Sequence, residues 1–463
     1  MSSAERRSRA GGAAVIIAMA QIASLAAFAQ PREPISYPRQ FTAQSAVALA
    51  IRSHPAVAMA SANVEARIAD VRSAELQAGP SVSAAFTSLY GSGESTSFAV
   101  VQKVGTVEEP LTKSEGTYGS ALLNLAVPLY SKGSWFNRDA PAVASAHGKY
   151  LRAKAELDAQ MVDIAAQVAN AYLGLLQGTE EVALQEQVYK TRRAHLEVMR
   201  ERVAARLSTL SEQLAIESLV ASATSDLEIA RAKVDAAQRS LKTLIGMPAG
   251  QPLDALPLEA DLPQLPNVAR LIENAQNTHP AVLAQEGALA SARAEVRVAR
   301  AEYSPTLSFV SSAVAASNLH TPDVNRFYSV GLALTVPIAD FGLNDSKVRS
   351  RALDLNQSEL KLQAERYSVA QKVSSAYQNA QAAIEKVGPL RAKLAQYRQQ
   401  EDASRAQYES KLQGLDRLLG DRAATLAGAD ALVEARYAAW LSYVTLVSAA
   451  GKAYGASSTE SGK

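Results

Sequence analysis

The chain has no cysteine. That removes disulfides, thiolate metal sites and thiol nucleophiles from consideration, and with them the cysteine that would carry a lipid behind an export signal. Aromatic residues are scarce, at 6% of 463 residues, although hydrophobic ones reach 48%, and alanine carries much of the difference. Such a composition suits close-packed helices better than a bulky globular core. Neither sign of charge dominates, with 47 Lys and Arg against 45 Asp and Glu, so charge points to no nucleic acid and no acidic substrate. Behind the N-terminal segment no apolar run reaches the roughly 20 residues that a transmembrane helix needs.

What is present begins with an export signal over residues 1–29. Arg6, Arg7 and Arg9 form its positive start, residues 13–26 its short apolar stretch, and Ala27-Phe28-Ala29 its small-x-small cleavage pattern. Five histidines and six methionines lend no support to a metal cargo. No nucleophile with a base and an orienting group, no phosphate-cradling glycine loop and no metal-spaced cluster is visible, so the sequence predicts no catalytic residue, no cofactor and no bound metal.

The rest of the chain says things twice. SHPAVAMA from Ser53 returns as THPAVLAQ from Thr278, with Pro55 and Pro280 in register; Pro80 pairs with Pro305 at the same spacing, and Val127-Pro128-Leu129 with Val336-Pro337-Ile338. Tyr172 then pairs with Tyr377, Leu210 with Leu415, Arg231 with Arg436 and Gly246 with Gly451. A period of about 200 residues is too long for a solenoid repeat. It is a tandem duplication, with a first structural repeat over 30–250, a second over 251–455 and a flexible tail at 456–463.

Each repeat changes its hydrophobic period. Pro55 and Pro280 are placed at the first position of a helix, behind a histidine held extended as an N-cap, and alanine-rich helices follow over about residues 57–76 and 282–302. The period then drops to two: in FYSVGLALTVPI, Tyr328, Val330, Leu332, Leu334 and Val336 fall on one face, and Ser329, Gly331, Ala333 and Thr335 on the other. PTLSFVSSAVAA precedes it, across a linker containing Asn318, Pro322, Asp323 and Asn325, to make a hairpin at about 305–338. The first repeat has a weaker hairpin at about 80–128, with a long loop near 92–115 and with Leu122 interrupting the alternation. Long helical hairpins follow at about 141–246 and 345–451. In the first of these Leu157, Met161, Ile164, Val168, Tyr172 and Leu175 recur at spacings of four and three. At about 1.5 Å per residue a helix from Pro141 to Arg206 reaches roughly 98 Å, a rod that must bundle or bridge a gap.

Four strands cannot close a barrel, and an open sheet edge in lipid leaves amides unpaired. Strands must therefore be pooled between copies of the chain. A periplasmic coiled-coil scaffold without a pore is the competing structural reading, and the strand alternation argues against it.

The signal, the doubled order of helix, hairpin, long helix and returning helix, the paired HP helix starts, and the VPL and VPI strand ends followed by Gly133 and Gly342 together resemble the TolC-type outer-membrane efflux proteins over almost the whole mature chain. The resemblance implies an α+β membrane protein, a homotrimer with a shared 12-stranded β-barrel set in outer-membrane lipid, and an α-helical tunnel across the periplasm. It implies a passive exit duct of a tripartite efflux or type I secretion system, docked on a periplasmic adaptor (membrane fusion) protein and an inner-membrane pump of RND or ABC type. It places the periplasmic tips at RLSTLSE and KLQGLDR, with Arg206, Leu207 and Ser208 and with Lys411, Leu412, Gln413 and Gly414 as adaptor contacts. Arg206 and Lys411 stand where the family usually has glycine, and Gly420 where it often has an acidic residue at the tunnel mouth, so Glu212, Asp416, Arg417 and Asp421 are the aperture candidates. The tip cations are expected either to be solvated or to pair with acidic groups on an adaptor or in the neighbouring turns.

The alternation makes a direct prediction. A charge at Leu332, if it faces lipid near the midplane, costs about 2–4 kcal/mol, and the same charge at Ala333 costs less; heat stability of Leu332→Lys and Ala333→Lys compares them, and equal tolerance would exclude a bilayer for this sheet.

Overall fold

A computed structural model of the chain describes residues 40–77, 79–91, 95–101, 106–112, 116–131, 134–135, 140–248, 250–257, 262–318, 324–410 and 412–454. The export signal, Gly133, Pro322, Asp323, Lys411 and the tail at 456–463 lie outside the described residues. From Phe41 onward the chain forms one contact unit.

Each repeat opens with a pair of helices broken at the His-Pro step. In the first, α1 (Ala43–Ser53) and α2 (Pro55–Leu76) meet at His54; further on, α5 (Val268–Thr278) and α6 (Pro280–Ala301) meet at His279. The sequence reading has α2 and α6 but lacks the eleven-residue helices before them, because their apolar pattern is only three turns long. Proline forbids the preceding residue a helical conformation, and both histidines are extended, at φ −71°, ψ 129° and φ −64°, ψ 132°. Each therefore ends one helix and caps the next: Nδ1 of His54 accepts the Ala56 amide (3.2 Å) and Nδ1 of His279 the Ala281 amide (3.1 Å). Burial holds the His279 imidazole below the usual histidine range, so it remains a neutral acceptor.

The returning helices end against the same step. Gly246 (φ +69°) and Gly451 (φ +75°) are left-handed helix terminators. A Cβ on Gly246 would lie 3.3 Å from the Ser53 hydroxyl, and one on Gly451 only 2.7 Å from Pro280. Ser53 also donates to the Ile245 carbonyl (2.8 Å). The HP motifs and the terminal glycines, matched separately along the sequence, are the two halves of one contact made twice.

Four long strands make the body of one antiparallel sheet: β1 (Ser81–Gly91), β4 (Gly116–Ser131), β5 (Thr306–Asn318) and β6 (Val324–Thr335), in the order β1-β4-β5-β6, and a two-residue strand, Ser134–Trp135, folds back onto the end of β4. The segment read as a long loop contains two further strands, β2 (Ser95–Val101) and β3 (Thr106–Thr112), which pair with each other in a separate ribbon. Strand also extends into Asn318 and Asn325, assigned above to the linker, and β6 stops at Thr335, so Val336 lies one residue past it. Across the sheet the register aligns Ser83, Asn124, Ser312 and Ser329 in one row, and the Ser312 and Ser329 hydroxyls are 2.6 Å apart. The adjacent row on the opposite face holds Val82, Leu125, Ser311 and Val330, the face that also carries Phe309 with Leu332 and Leu307 with Leu334. Leu122 interrupts the alternation as expected, an apolar residue on the face of the serine row, level with Ala85, Val314 and Phe327. Among the described residues nothing pairs with the outer edges of β1 and β6.

Two long hairpins complete the fold: α3 (Pro141–Ala204) with α4 (Leu210–Leu244), and α7 (Leu343–Glu409) with α8 (Leu415–Ala449). α3 is the hub, packing against α1, α2, α4, α6 and α8. Ile164, Val168, Tyr172 and Leu175 are buried as their spacing requires, whereas Leu157 and Met161 are half-buried. Val162, Ala165, Ala169, Leu173 and Leu176 are buried too, because α3 has neighbours on several sides. The Tyr172 hydroxyl lies between the carbonyls of Phe41 (2.8 Å) and Leu256 (2.7 Å), tying the start of the first repeat to the linker into the second. α3 and α6 cross with backbones in contact: a Cβ on Gly148 would stand 2.5 Å from the Ser291 nitrogen, and one on Gly287 2.5 Å from that of Arg152. Ser145 and Ser291 bond across the crossing (3.2 Å).

Alanine ordinarily gains about 1 kcal/mol over glycine inside a helix. At Gly148 or Gly287 overpacking against backbone costs about 1–3 kcal/mol, so Gly148→Ala and Gly287→Ala are expected to lower the unfolding midpoint. Gly174→Ala, also in α3 but with nothing within 4 Å in the chain, is the control and should be neutral or stabilising in the same thermal melt.

Candidate functional site: the two hairpin tips

The turns that join α3 to α4 and α7 to α8 are where the sequence predicts contacts. α3 ends in a motif with paired return bonds, Arg206 amide to Val203 carbonyl (3.0 Å) and Leu207 amide to Arg202 carbonyl (2.7 Å). This motif requires a left-handed residue after the cap, and Arg206 takes it at φ +59°. The position favours glycine for a backbone reason, and arginine occupies it at a steric cost of about 1–2 kcal/mol. Among the described residues Arg206 has no ion-pair partner. Ser208 is half-buried, and Thr209 opens α4 through a capping box, accepting the Glu212 amide (3.3 Å) while the Glu212 carboxylate accepts the Thr209 amide (2.9 Å).

The second tip has the matching return bond, Leu412 amide to Gln407 carbonyl (2.8 Å); Lys411 itself is outside the described residues. Gln413 is exposed, and Gly414 precedes α8 without a side-chain cap. Both tips present leucines to solvent: Leu207 at 71% exposure, Leu210 and Leu214 on the next turns of the first, and Leu412 on the second.

The four aperture candidates fall into three separate arrangements. Glu212 belongs to the capping box. Asp416 joins the two repeats, with Oδ1 3.3 Å from His195 Nε2 and Oδ2 3.6 Å from Arg202 Nη1, both on α3. Asp421 is buried, at 7% exposure, and binds α8 to α7: it accepts from Gln400 (2.7 Å), from Ser404 and from Arg417 (3.3 Å). Arg417 thus turns toward its own helix. His195, Arg202, Gln400 and Ser404 carry no local sequence signal for these roles, because their partners come from other helices or from the far side of a hairpin. Farther from the tips, Glu180 on α3 takes Arg436 and Tyr437 of α8 together, the phenol at 2.8 Å. Burial, then the Glu180 carboxylate, pushes the Tyr437 hydroxyl up to about 12.

Among the described residues no group of three or more His, Asp or Glu could hold a metal ion, and no described helix is long and apolar enough to cross a membrane. The described residues thus combine a duplicated chain, two solvent-facing hairpin tips and a sheet whose two outer edges, β1 and β6, are unpaired.

The chain belongs to the outer membrane efflux protein family, which matches residues 46–247 and again 271–452. Membership places it in the outer membrane. It is 25% identical over 233 residues to the outer membrane efflux protein BepC of Brucella suis, half of each chain, and 29% identical over 295 residues to the pyoverdine export outer membrane protein OpmQ of Pseudomonas aeruginosa, 61% of this chain and 60% of that one. The chain thus spans half to three-fifths of the length of these relatives. Its fold is that of the outer membrane protein VceC from Vibrio cholerae, with a TM-score of 0.71 over 89% of this chain and 96% of that one at 16% identity.

The left-handed turn gives a prediction. Arg206→Gly relieves the backbone and is expected to raise stability by up to about 1 kcal/mol, since glycine's greater freedom in the unfolded chain offsets part of the gain. Arg206→Val, β-branched at positive φ, should lower it. Thermal unfolding of the purified protein reads both.

Proposed function

We propose that three copies of this chain form a passive exit duct across the outer membrane and periplasm. The observation that carries this is the pair of open sheet edges. β1 and β6 run in opposite directions, so β6 of one copy continues into β1 of the next as another antiparallel pair, and three copies make twelve strands without an edge. The row Ser83, Asn124, Ser312 and Ser329 then lines the lumen, while Tyr328, Val330, Leu332 and Leu334 meet lipid, with Val336 at the rim. The helical hairpins form the periplasmic tunnel. Conduction needs no chemistry from the protein, so the duct is no enzyme and uses no cofactor.

The tips dock a periplasmic adaptor, which links the duct to an inner-membrane pump of RND or ABC type. Their contact is the exposed leucines Leu207, Leu210, Leu214 and Leu412, with the charges of Arg206 and Lys411 as minor contributors; an exposed ion pair contributes about 0–1 kcal/mol, so apolar burial supplies most of the affinity. Asp416, held by His195 and Arg202, keeps the second tip against the first repeat.

Mass measurement in detergent tests the reading, together with conductance in a planar bilayer. A trimer that conducts is the expected result. A stable monomer with its strands formed, or a soluble periplasmic protein, would overturn it in favour of the scaffold.

A further inference from the structure

Between β6 and α7 the chain makes a tight, strained corner. Phe341 has φ +52° and Gly342 φ +89°, so a bulky aromatic residue occupies a left-handed conformation that ordinarily selects glycine or asparagine. The corner is firmly held. Asp340 accepts the Gly342 amide (3.1 Å) and the Asn344 amide (2.8 Å), and the Tyr303 hydroxyl donates to the Ile338 carbonyl (3.0 Å). These bonds fix the backbone but give the ring no cover: Phe341 is 102% exposed and Ile338 90%, with Leu343 also exposed. Strain and full exposure of an aromatic ring together return nothing within the chain. Whatever offsets them is outside it.

The place of the corner in the sheet identifies the partner. Phe341 lies six residues past the end of β6, the strand with an open edge. In the first repeat the VPL motif lies near the end of β4, an interior strand covered by β1 and β5, and the sequence position matching Phe341 is Lys132. The first repeat also has an exposed aromatic residue past its strand, Trp135, but that ring packs on Tyr130 (5.1 Å), whereas Phe341 is fully exposed. On the chain's opposite open edge, beside the start of β1, Leu76 and Val82 are exposed.

We propose that Phe341 is a preformed knob that inserts into the next copy of this chain beside the entry to its β1, locking neighbouring protomers at the junction of barrel and tunnel. The inference rests on the trimeric duct reading and adds to it a specific anchoring residue. The rigid corner means that little freedom is lost when the ring is covered, which is how preorganised contacts gain affinity.

The full-length protein tests this, with a photoreactive benzoylphenylalanine at position 341 and with Phe341→Gly and Phe341→Tyr. Irradiation of the purified oligomer is expected to give covalent chain–chain adducts on a denaturing gel. Phe341→Gly, which removes the ring and relieves the backbone, should keep parental helicity by circular dichroism while its oligomer dissociates at a lower temperature than the parent's; Phe341→Tyr should stay near the parent. Oligomers that form normally but yield only lipid or detergent adducts, or a Phe341→Gly oligomer as heat-resistant as the parent, would overturn the knob and leave the duct standing. A parent that never oligomerises would overturn the duct reading itself and the knob with it.

Discussion

The backbone contact between α3 and α6 at Gly148 and Gly287 is the constraint on which the rest of the fold depends. Helices carrying larger residues at that crossing would stand farther apart, since the atoms a Cβ would strike are backbone and cannot rotate away. α3 follows β4 and α6 precedes β5, so the crossing lies beneath the seam where the sheets of the two repeats join. Close helices there bring β4 and β5 to hydrogen-bonding distance and convert two hairpins into one four-stranded sheet. Around the crossing the Ser145–Ser291 bond and the pairs of Glu295 with Lys149 (3.3 Å) and Arg351 (3.5 Å) satisfy the polar groups brought together.

A second constraint works at the other end of each short helix pair. The His-Pro step stops one helix and starts the next in a single residue, and the left-handed glycine that ends the returning helix abuts it. Gly451 stands close enough to His279 and Pro280 that any side chain would collide. Because the same contact is needed in both repeats, both halves of the motif survive in both. Farther along the hairpins the repeats diverge. The Thr209–Glu212 capping box has no counterpart before α8, which starts at Gly414 and is held instead by Asp416 to α3 and by Asp421 to α7.

This divergence follows from position. One member of each duplicated pair faces its own chain and the other faces outward: β4 is interior and β6 an edge, and β5 is interior and β1 an edge. In the proposed trimer the two halves cannot stay alike, since only one half meets the neighbour on a given side.

The sequence by itself determined the two repeats, the helix starts at Pro55 and Pro280, the alternating face of β6 and the long hairpins, because period, proline and glycine act through backbone geometry within a few residues. The tip turns came from the family resemblance, and the left-handed conformation of Arg206 was shown by the structure. The short helices α1 and α5 and the β2–β3 ribbon were not legible, since a few turns or a seven-residue strand carry too little periodicity. Only the tertiary structure decided the β4–β5 seam, the edge status of β1 and β6, the partners of Asp416 and Asp421, and the exposure of Phe341. Each depends on segments that meet across a hairpin or between repeats, where contact is set by how the helices pack and not by the spacing of residues along the chain.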